Sequence, residues 1–244
     1  MLLAFRSIAY RIFMKNMAQA VAALMESIRE AEHEFGRPEG SVALLAVSKY
    51  RSPGEIRAAA AGGQADFGEN YVQEALPKIR ALEDLPLRWH FIGPIQSNKT
   101  RDIALNFQWV HSVDRAKIAR RLDADRPDGE PPLEVCIQMN IDAEDTKSGV
   151  GPEALRDLAA EVAALPRLRL RGLMALPAPT GEFGAQRRPF RRLREHLEQL
   201  NSAGFALDTL SMGTTADLRA AIAEGSTLIR VGTGLFGPRP GADR

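Results

Sequence analysis

The feature that most restricts the fold of this chain is an alternation. Eight short segments rich in aliphatic and β-branched residues are separated by stretches with helical spacing of their apolar positions. In order the strand-like segments are VALLAVSK, ADFGEN, RWHFIG, WVHSVD, LEVCIQMNI, LRLRGLMAL, LDTLSMG and TLIRVGTG. Strand followed by helix, repeated, predicts a parallel sheet covered by helices, because parallel neighbours need a crossover connection. Eight such units in 244 residues fit one α/β domain, a single (β/α)8 TIM barrel, better than the alternative of an open doubly wound sheet.

No shift in composition marks a linker, so one barrel over residues 17–240 is expected, preceded by an N-terminal extension over residues 1–16. That extension, MLLAFRSIAYRIFMKN, is apolar and basic, but Arg6, Arg11 and Lys15 interrupt it too often for a membrane span or a signal-peptide core. Met17 offers a second initiator, so the extension is read as dispensable, with an Arg-bearing presequence as the other reading. The spacing of Val21, Leu24, Met25, Ile28 and Ala31 predicts a helix over 17–35, stopped by Gly36 and Pro38. Ser52, Pro53 and Glu55 spell a capped helix start directly after the first strand.

Charge is balanced, with 32 Lys and Arg against 31 Asp and Glu. Nothing global draws the chain to nucleic acid or an anionic membrane, which leaves a small molecule as the expected partner. The basic run RRPFRRLREHLEQL becomes ordinary on a helix, where Phe190, Leu193, Leu197 and Leu200 form the buried stripe and the charges a solvated face. The single Cys136 admits no intrachain disulfide and suits a reducing cytoplasm. His33, His90, His111 and His196 show no metal-ligand spacing, and neither GxxxxGK[ST] nor GxSxG is present.

In a barrel the C-terminal ends of the strands form the functional mouth. The first strand delivers Lys49 there, on the same face as Ala43, Leu45 and Val47. A lysine so placed is either a surface charge ending a strand or an amine whose pKa falls in an apolar setting, making it a nucleophile toward carbonyls. Glu69, Asn70, His90, Gln96, Asn98, His111, Asp114, Asn140, Ser211, Thr214, Thr215, Arg230 and Thr233 fall on the same rim. After the seventh strand, SMGTTADL sets small and hydroxyl residues before a helix, a ready anion site, and barrels often bind phosphate after strands seven and eight. Gly232 to Gly237, GTGLFG, matches GxGxxG in spacing but lies at the wrong end of the chain for a dinucleotide fold. Its glycines let backbone approach a phosphate or simply turn the chain. Arg230 shares strand parity with Leu228 and Gly232, and either donates to a heteroaromatic ring nitrogen or pairs with a carboxylate.

The motifs LLAVSKY, FGENYVQE, WHFIGPIQSNK, HSVDR, NIDAEDTKSG, GLMALP, LSMG and RVGTGLFGPR, in this order from about Ala43 to Arg239, resemble the pyridoxal phosphate homeostasis protein family. The resemblance implies a barrel like the N-terminal domain of alanine racemase, binding pyridoxal 5′-phosphate (PLP). It implies that Lys49 holds the cofactor as a Schiff base, that Asn70 lies beside it, and that Ser211, Met212, Gly213, Arg230, Gly232 and Thr233 carry phosphate and ring-nitrogen contacts. Where the family usually reads SMGMS this chain has Thr214 and Thr215. Thr215 keeps a hydroxyl for a phosphate oxygen, and Thr214 puts a small polar group where a methionine is usual.

Two functions are then open: a non-catalytic monomeric carrier that limits free PLP in the cytoplasm and passes it to apoenzymes, or a PLP-dependent amino-acid racemase. A racemase needs acid/base groups on both faces of its substrate. The tyrosines Tyr10, Tyr50 and Tyr71 include no C-terminal candidate of the alanine racemase kind, and an arginine at the ring nitrogen cannot supply the proton that deepens the electron sink. The carrier is the favoured reading.

Overall fold

A computed structural model describes residues 2–142 and 148–238, with side chains from Met14 onward except Lys15. Residues 143–147 of the DAEDTKSG loop, Arg239 of the last motif and the final residues of the expected 17–240 unit lie outside the described residues.

The strands close on themselves. β1 (Ala43–Val47), β2 (Asp66–Glu69), β3 (Arg88–Phe91), β4 (Trp109–Val113), β5 (Leu133–Gln138), β6 (Leu168–Met174), β7 (Thr209–Ser211) and β8 (Leu228–Val231) form a closed barrel in sequence order. Every pairing is parallel, and β1 pairs with β8 through Leu45 opposite Arg230. The helices α2 (Pro53–Ala61), α3 (Val72–Ala81), α4 (Thr100–Asn106), α5 (Ala116–Asp125), α6 (Pro152–Ala163), α7 (Phe183–Ser202) and α8 (Leu218–Ala223) are the crossovers. The closed barrel, rather than the open sheet, is therefore the fold.

The first helix departs from the expectation. α1 runs unbroken over Leu2–Glu34, straight through the boundary expected at Met17. The sequence contains neither Gly nor Pro before Gly36, so nothing stops the helix earlier. Gly36 ends it with φ of 64°, the left-handed conformation that glycine adopts without penalty. The last glycine run also differs: after Gly232 the chain forms a short helix, α9 (Thr233–Phe236), not an open turn. The Ser52 cap has the predicted reciprocal form, with the Glu55 N–H donating to Ser52 Oγ and the Ser52 N–H to Glu55 Oε2.

Two cores result from strand alternation. Outward-facing Leu44, Ala46, Phe67, Phe91, Val110 and Ile229 pack under the helices, with α7 contributing Phe190, Leu193, Leu197 and Leu200. Inside the barrel, a Cβ on Gly68 would meet Leu45 and Ile92. Part of this interior is polar, which is where the site begins.

Candidate functional site

A buried chain of hydrogen bonds crosses the barrel interior. Arg230 Nη1 donates to Ser211 Oγ at 2.7 Å, and Ser211 Oγ lies 2.8 Å from His111 Nδ1. His111 Nε2 is 2.9 Å from His90 Nδ1, and His90 Nε2 is 2.9 Å from Asp66 Oδ1. Since β4 and β7 are not neighbours, the His111–Ser211 contact spans the interior itself. Burial pushes the Asp66 carboxyl up, but hydrogen bonds from His90 and Arg88 outweigh this and bring it down to about 2. Burial lowers His90 despite Asp66, and lowers His111 further with help from His90 and Arg230, so both are neutral at pH 7. An ionised carboxylate at one end and a guanidinium at the other assign the protons: each imidazole carries its proton on Nε2, and every donor points from Arg230 toward Asp66.

Arg230 is the upper end of this chain. Its Nη1 also donates to the Ser211 carbonyl at 2.5 Å and its Nη2 to the Ala175 carbonyl at 2.8 Å. Burial lowers it to about 10, still a cation at neutral pH. Its hydrogen bonds among the described residues go to Ser211 and Ala175 rather than to a carboxylate, with Asp217 near enough only to oppose the effect of burial, so the direct ion-pair alternative is not what the structure contains. Cys136, also interior, is pushed up to about 12 by burial and stays protonated and unreactive.

Above Arg230 lies a cavity of about 320 Å³ at the mouth, the lower end of the range for small-molecule sites, roughly 300–1,000 Å³. Lys49, Asn70, Thr215, Arg230, Gly232 and Thr233 line it, six of the nine residues singled out from the sequence. Val47, Arg51, Ile92, Leu176, Thr214 and Ala216 complete the wall. The other three expected residues stand behind it. Ser211 is buried under Arg230, and Met212 is fully buried in the layer beneath the helices. Gly213 has φ of 98°, and a Cβ there would stand 2.6 Å from the Ala221 methyl, so glycine alone lets the loop fold over α8.

The hydroxyl edge is braced from within. Thr214 donates its N–H and its hydroxyl to Asp217 Oδ1 at 2.6 and 2.8 Å, which fixes the loop before α8. Thr215 Oγ1 accepts the Gly234 N–H at 3.2 Å and so ties this loop to the start of α9, keeping its own proton to donate elsewhere. Arg51, which no local motif singles out, donates to the carbonyls of Gly237 and Pro238 at 2.5 and 2.8 Å and lies over the Phe236 ring, pinning the far side of α9. Asn70 Oδ1 is buried without a hydrogen-bond partner. A buried orphan acceptor beside a cavity fits a ligand donor.

Glu69, His90 and His111 are not on the rim where strand counting put them. The two histidines lie deeper, in the interior chain. Glu69 faces outward, between the sheet and α3, where it accepts hydrogen bonds from Ser48 Oγ at 2.5 Å and Lys78 Nζ at 2.8 Å. Lys78 is a further member of this group, and its spacing from Ala75 is the signal that puts it on the buried stripe of α3.

The interior chain predicts an acid response. A group whose pKa is depressed on folding stabilises the protein above its unfolded pKa and loses that contribution as pH falls. His90 and His111 therefore start to cost stability below about pH 6.5, and Asp66 below about pH 4, its share fading toward pH 2. Urea midpoints measured against pH are expected to fall between pH 7 and 5, by up to about 1.4 kcal/mol per pH unit for each histidine, and again below 4. A midpoint that stays flat from pH 7 to 5 contradicts the assignment of neutral imidazoles.

Known proteins share this fold. Residues 20–240 match the family model for the alanine racemase N-terminal domain. The pyridoxal phosphate homeostasis protein of Pseudomonas aeruginosa is 58% identical over 226 residues, 93% of this chain and 97% of the relative. PipY of Synechococcus elongatus, solved with PLP bound, is 36% identical with a TM-score of 0.79, covering 91% of this chain and 100% of that one. Alanine racemase from Corynebacterium glutamicum shares the fold at 16% identity and a TM-score of 0.67, covering 93% of this chain but 63% of its own.

Proposed function

The chain belongs to the pyridoxal phosphate homeostasis protein family, within the alanine racemase N-terminal domain barrels, and from that premise we propose that it binds pyridoxal 5′-phosphate at the barrel mouth and acts in intracellular PLP homeostasis. The observation that carries the proposal is the convergence of Lys49, Arg230, the Asn70 carbonyl and the Thr215–Gly232–Thr233 edge on one cavity. Three of these fit different parts of the cofactor, and the Asn70 side-chain carbonyl leaves an acceptor beside them. Lys49 holds its aldehyde carbon as a Schiff base, the amine nitrogen replacing the carbonyl oxygen as one water leaves. Thr215, with the backbone at Gly232 and Thr233, takes the phosphate. Arg230, held on its carbonyl and hydroxyl acceptors, offers the ring nitrogen a hydrogen bond and no proton.

When bound, the cofactor would supply an electron sink for reactions at an amino-acid α-carbon. This chain's own residues blunt that use. Every hydrogen bond within the interior chain is donated away from the cavity, so neither imidazole nor the Ser211 hydroxyl is poised to protonate the ring. The reading is therefore a monomeric carrier that keeps the aldehyde tethered and passes it to apoenzymes. No helix among the described residues is long and apolar enough to cross a membrane.

Borohydride reduction of the protein loaded with PLP, followed by peptide mapping, is expected to place the label on Lys49. Bound PLP with no labelled lysine contradicts the Schiff base. Incubation with single-enantiomer amino acids and an apoenzyme is expected to show cofactor transfer without multiple-turnover racemisation, and the opposite pattern favours a racemase.

A further inference from the structure

Behind the mouth, a buried ionic cluster holds the backbone on both sides of Lys49. The chain leaves β1 through a tight turn closed by the Arg51 N–H on the Ser48 carbonyl at 3.0 Å, with Lys49 and Tyr50 at its centre. Tyr50 has φ of 63°, a left-handed conformation that glycine usually takes in a turn and that strains a tyrosine. Something must hold the turn in that shape. Lys78, on α3, donates to the same Ser48 carbonyl at 2.8 Å, to Glu69 Oε1 at 2.8 Å and to Glu74 Oε1 at 2.6 Å, which uses all three of its protons. Ser48 Oγ donates to Glu69 Oε1, and the Tyr50 N–H donates to Glu74 Oε1, both at 2.5 Å.

We propose that Lys78, with Glu69 and Glu74, is a positioning clamp that fixes the turn around Lys49 and so aims its amine at the cofactor's aldehyde. The clamp rests on the reading of Lys49 as the residue that binds the aldehyde. Stability alone gives little reason for such a cluster. The Glu69 carboxylate and the Lys78 ammonium are taken out of water while Glu74 stays half-buried, Glu69 Oε2 is buried without a partner, and an apolar trio of similar size would be about as stable. An apolar trio could not donate to the Ser48 carbonyl or accept the Tyr50 N–H. Misplacing a reacting group by about 1 Å can cost on the order of 100-fold, so holding both neighbours of the nucleophile is worth an expensive arrangement.

The test separates the covalent bond from the rest of the site. PLP and 4′-deoxypyridoxine 5′-phosphate, which lacks the aldehyde, are titrated into the wild type, Glu74→Ala and Lys78→Met. Glu74→Ala frees the Tyr50 N–H but leaves the Lys78–Glu69 pair intact, so it tests the clamp even if Lys78→Met fails to fold. Apparent affinity for PLP and the borohydride-trapped fraction are expected to fall at least tenfold in the variants, while affinity for the deoxy analogue stays within about twofold. Equal losses for both ligands, or no loss for either, overturn the clamp. Label found on Lys78 in the wild type overturns it too, since a clamp residue is not the nucleophile. A wild type that binds the analogue but yields no labelled lysine defeats the Lys49 reading instead.

Discussion

Lys49→Ala is expected to abolish the borohydride-stable adduct while the protein stays folded and still binds PLP, about 100-fold more weakly. The side chain lies at the mouth and is partly exposed, outside both cores, so its removal leaves no cavity in packed structure. The turn around it is held by Ser48 and Tyr50 through Lys78 and Glu74, and these contacts survive the substitution. What remains for the ligand is the hydroxyl edge braced by Asp217 and the Arg230 donor held by Ser211 and Ala175. Losing a 100-fold share corresponds to about 2.7 kcal/mol, the order expected when a covalent tether is removed and anion and ring contacts are kept. Absorption spectra should lose the imine band and keep that of the free aldehyde, and equilibrium dialysis gives the affinity. An adduct that forms as well without Lys49 would move the tether to another lysine.

The fold was legible because it repeats. Periods of two and 3.6 alternate eight times, and parity within each strand sorts Leu44 and Phe67 outward from Leu45 and Gly68. Counting to strand ends also found Lys49, Asn70 and Arg230 without any contact information. Parity gives a residue's face but not its depth, which is why His90 and His111 were assigned to the rim when they lie below it. It also cannot tell which strand across the barrel a side chain will meet. The bond from His111 to Ser211 joins residues 100 apart in the chain, and nothing local in either segment announces it. The clamp was hidden for a different reason. Lys78 breaks the apolar stripe of α3 and has Glu74 one turn before it, the usual look of a surface ion pair. Only the docking of α3 beside β1 and β2 turns that pair inward onto Glu69.

Gly93→Ala is expected to damage stability and cofactor binding together, and Gly172→Ala stability alone. Neither glycine needs a left-handed backbone, so the cost in each case is space. At Gly172 in β6 a Cβ would stand 1.8 Å from the Thr209 carbonyl oxygen of β7, and at Gly93 it would stand 2.0 Å from the Asn70 carbonyl oxygen. Cβ atoms essentially never come within 3.0 Å of another atom, so backbone must retreat by about 1 Å at either position. The movement at Gly172 spreads β6 from β7 and that at Gly93 parts the loops just past β2 and β3, in a closed barrel that has no free edge to absorb either, and a loss of about 3 kcal/mol is expected for each. The consequences for the site differ. All three atoms nearest the Gly93 methyl belong to the Asn70 backbone, while the Gly93 carbonyl is held by Ser112 Oγ at 2.5 Å, so Asn70 is the group that yields. Asn70 lines the cavity and carries the orphan acceptor, so its displacement should weaken PLP binding by tenfold or more, measured below the unfolding transition. Thr209 lies one turn of the strand pleat below Ser211, outside the cavity wall, and Gly172→Ala protein that is folded should bind PLP within about threefold of the wild type. If both variants keep full affinity while folded, Asn70 is not a contact of the cofactor. If Gly172→Ala alone loses it, binding depends on the β6–β7 seam beneath Arg230 more than on the mouth.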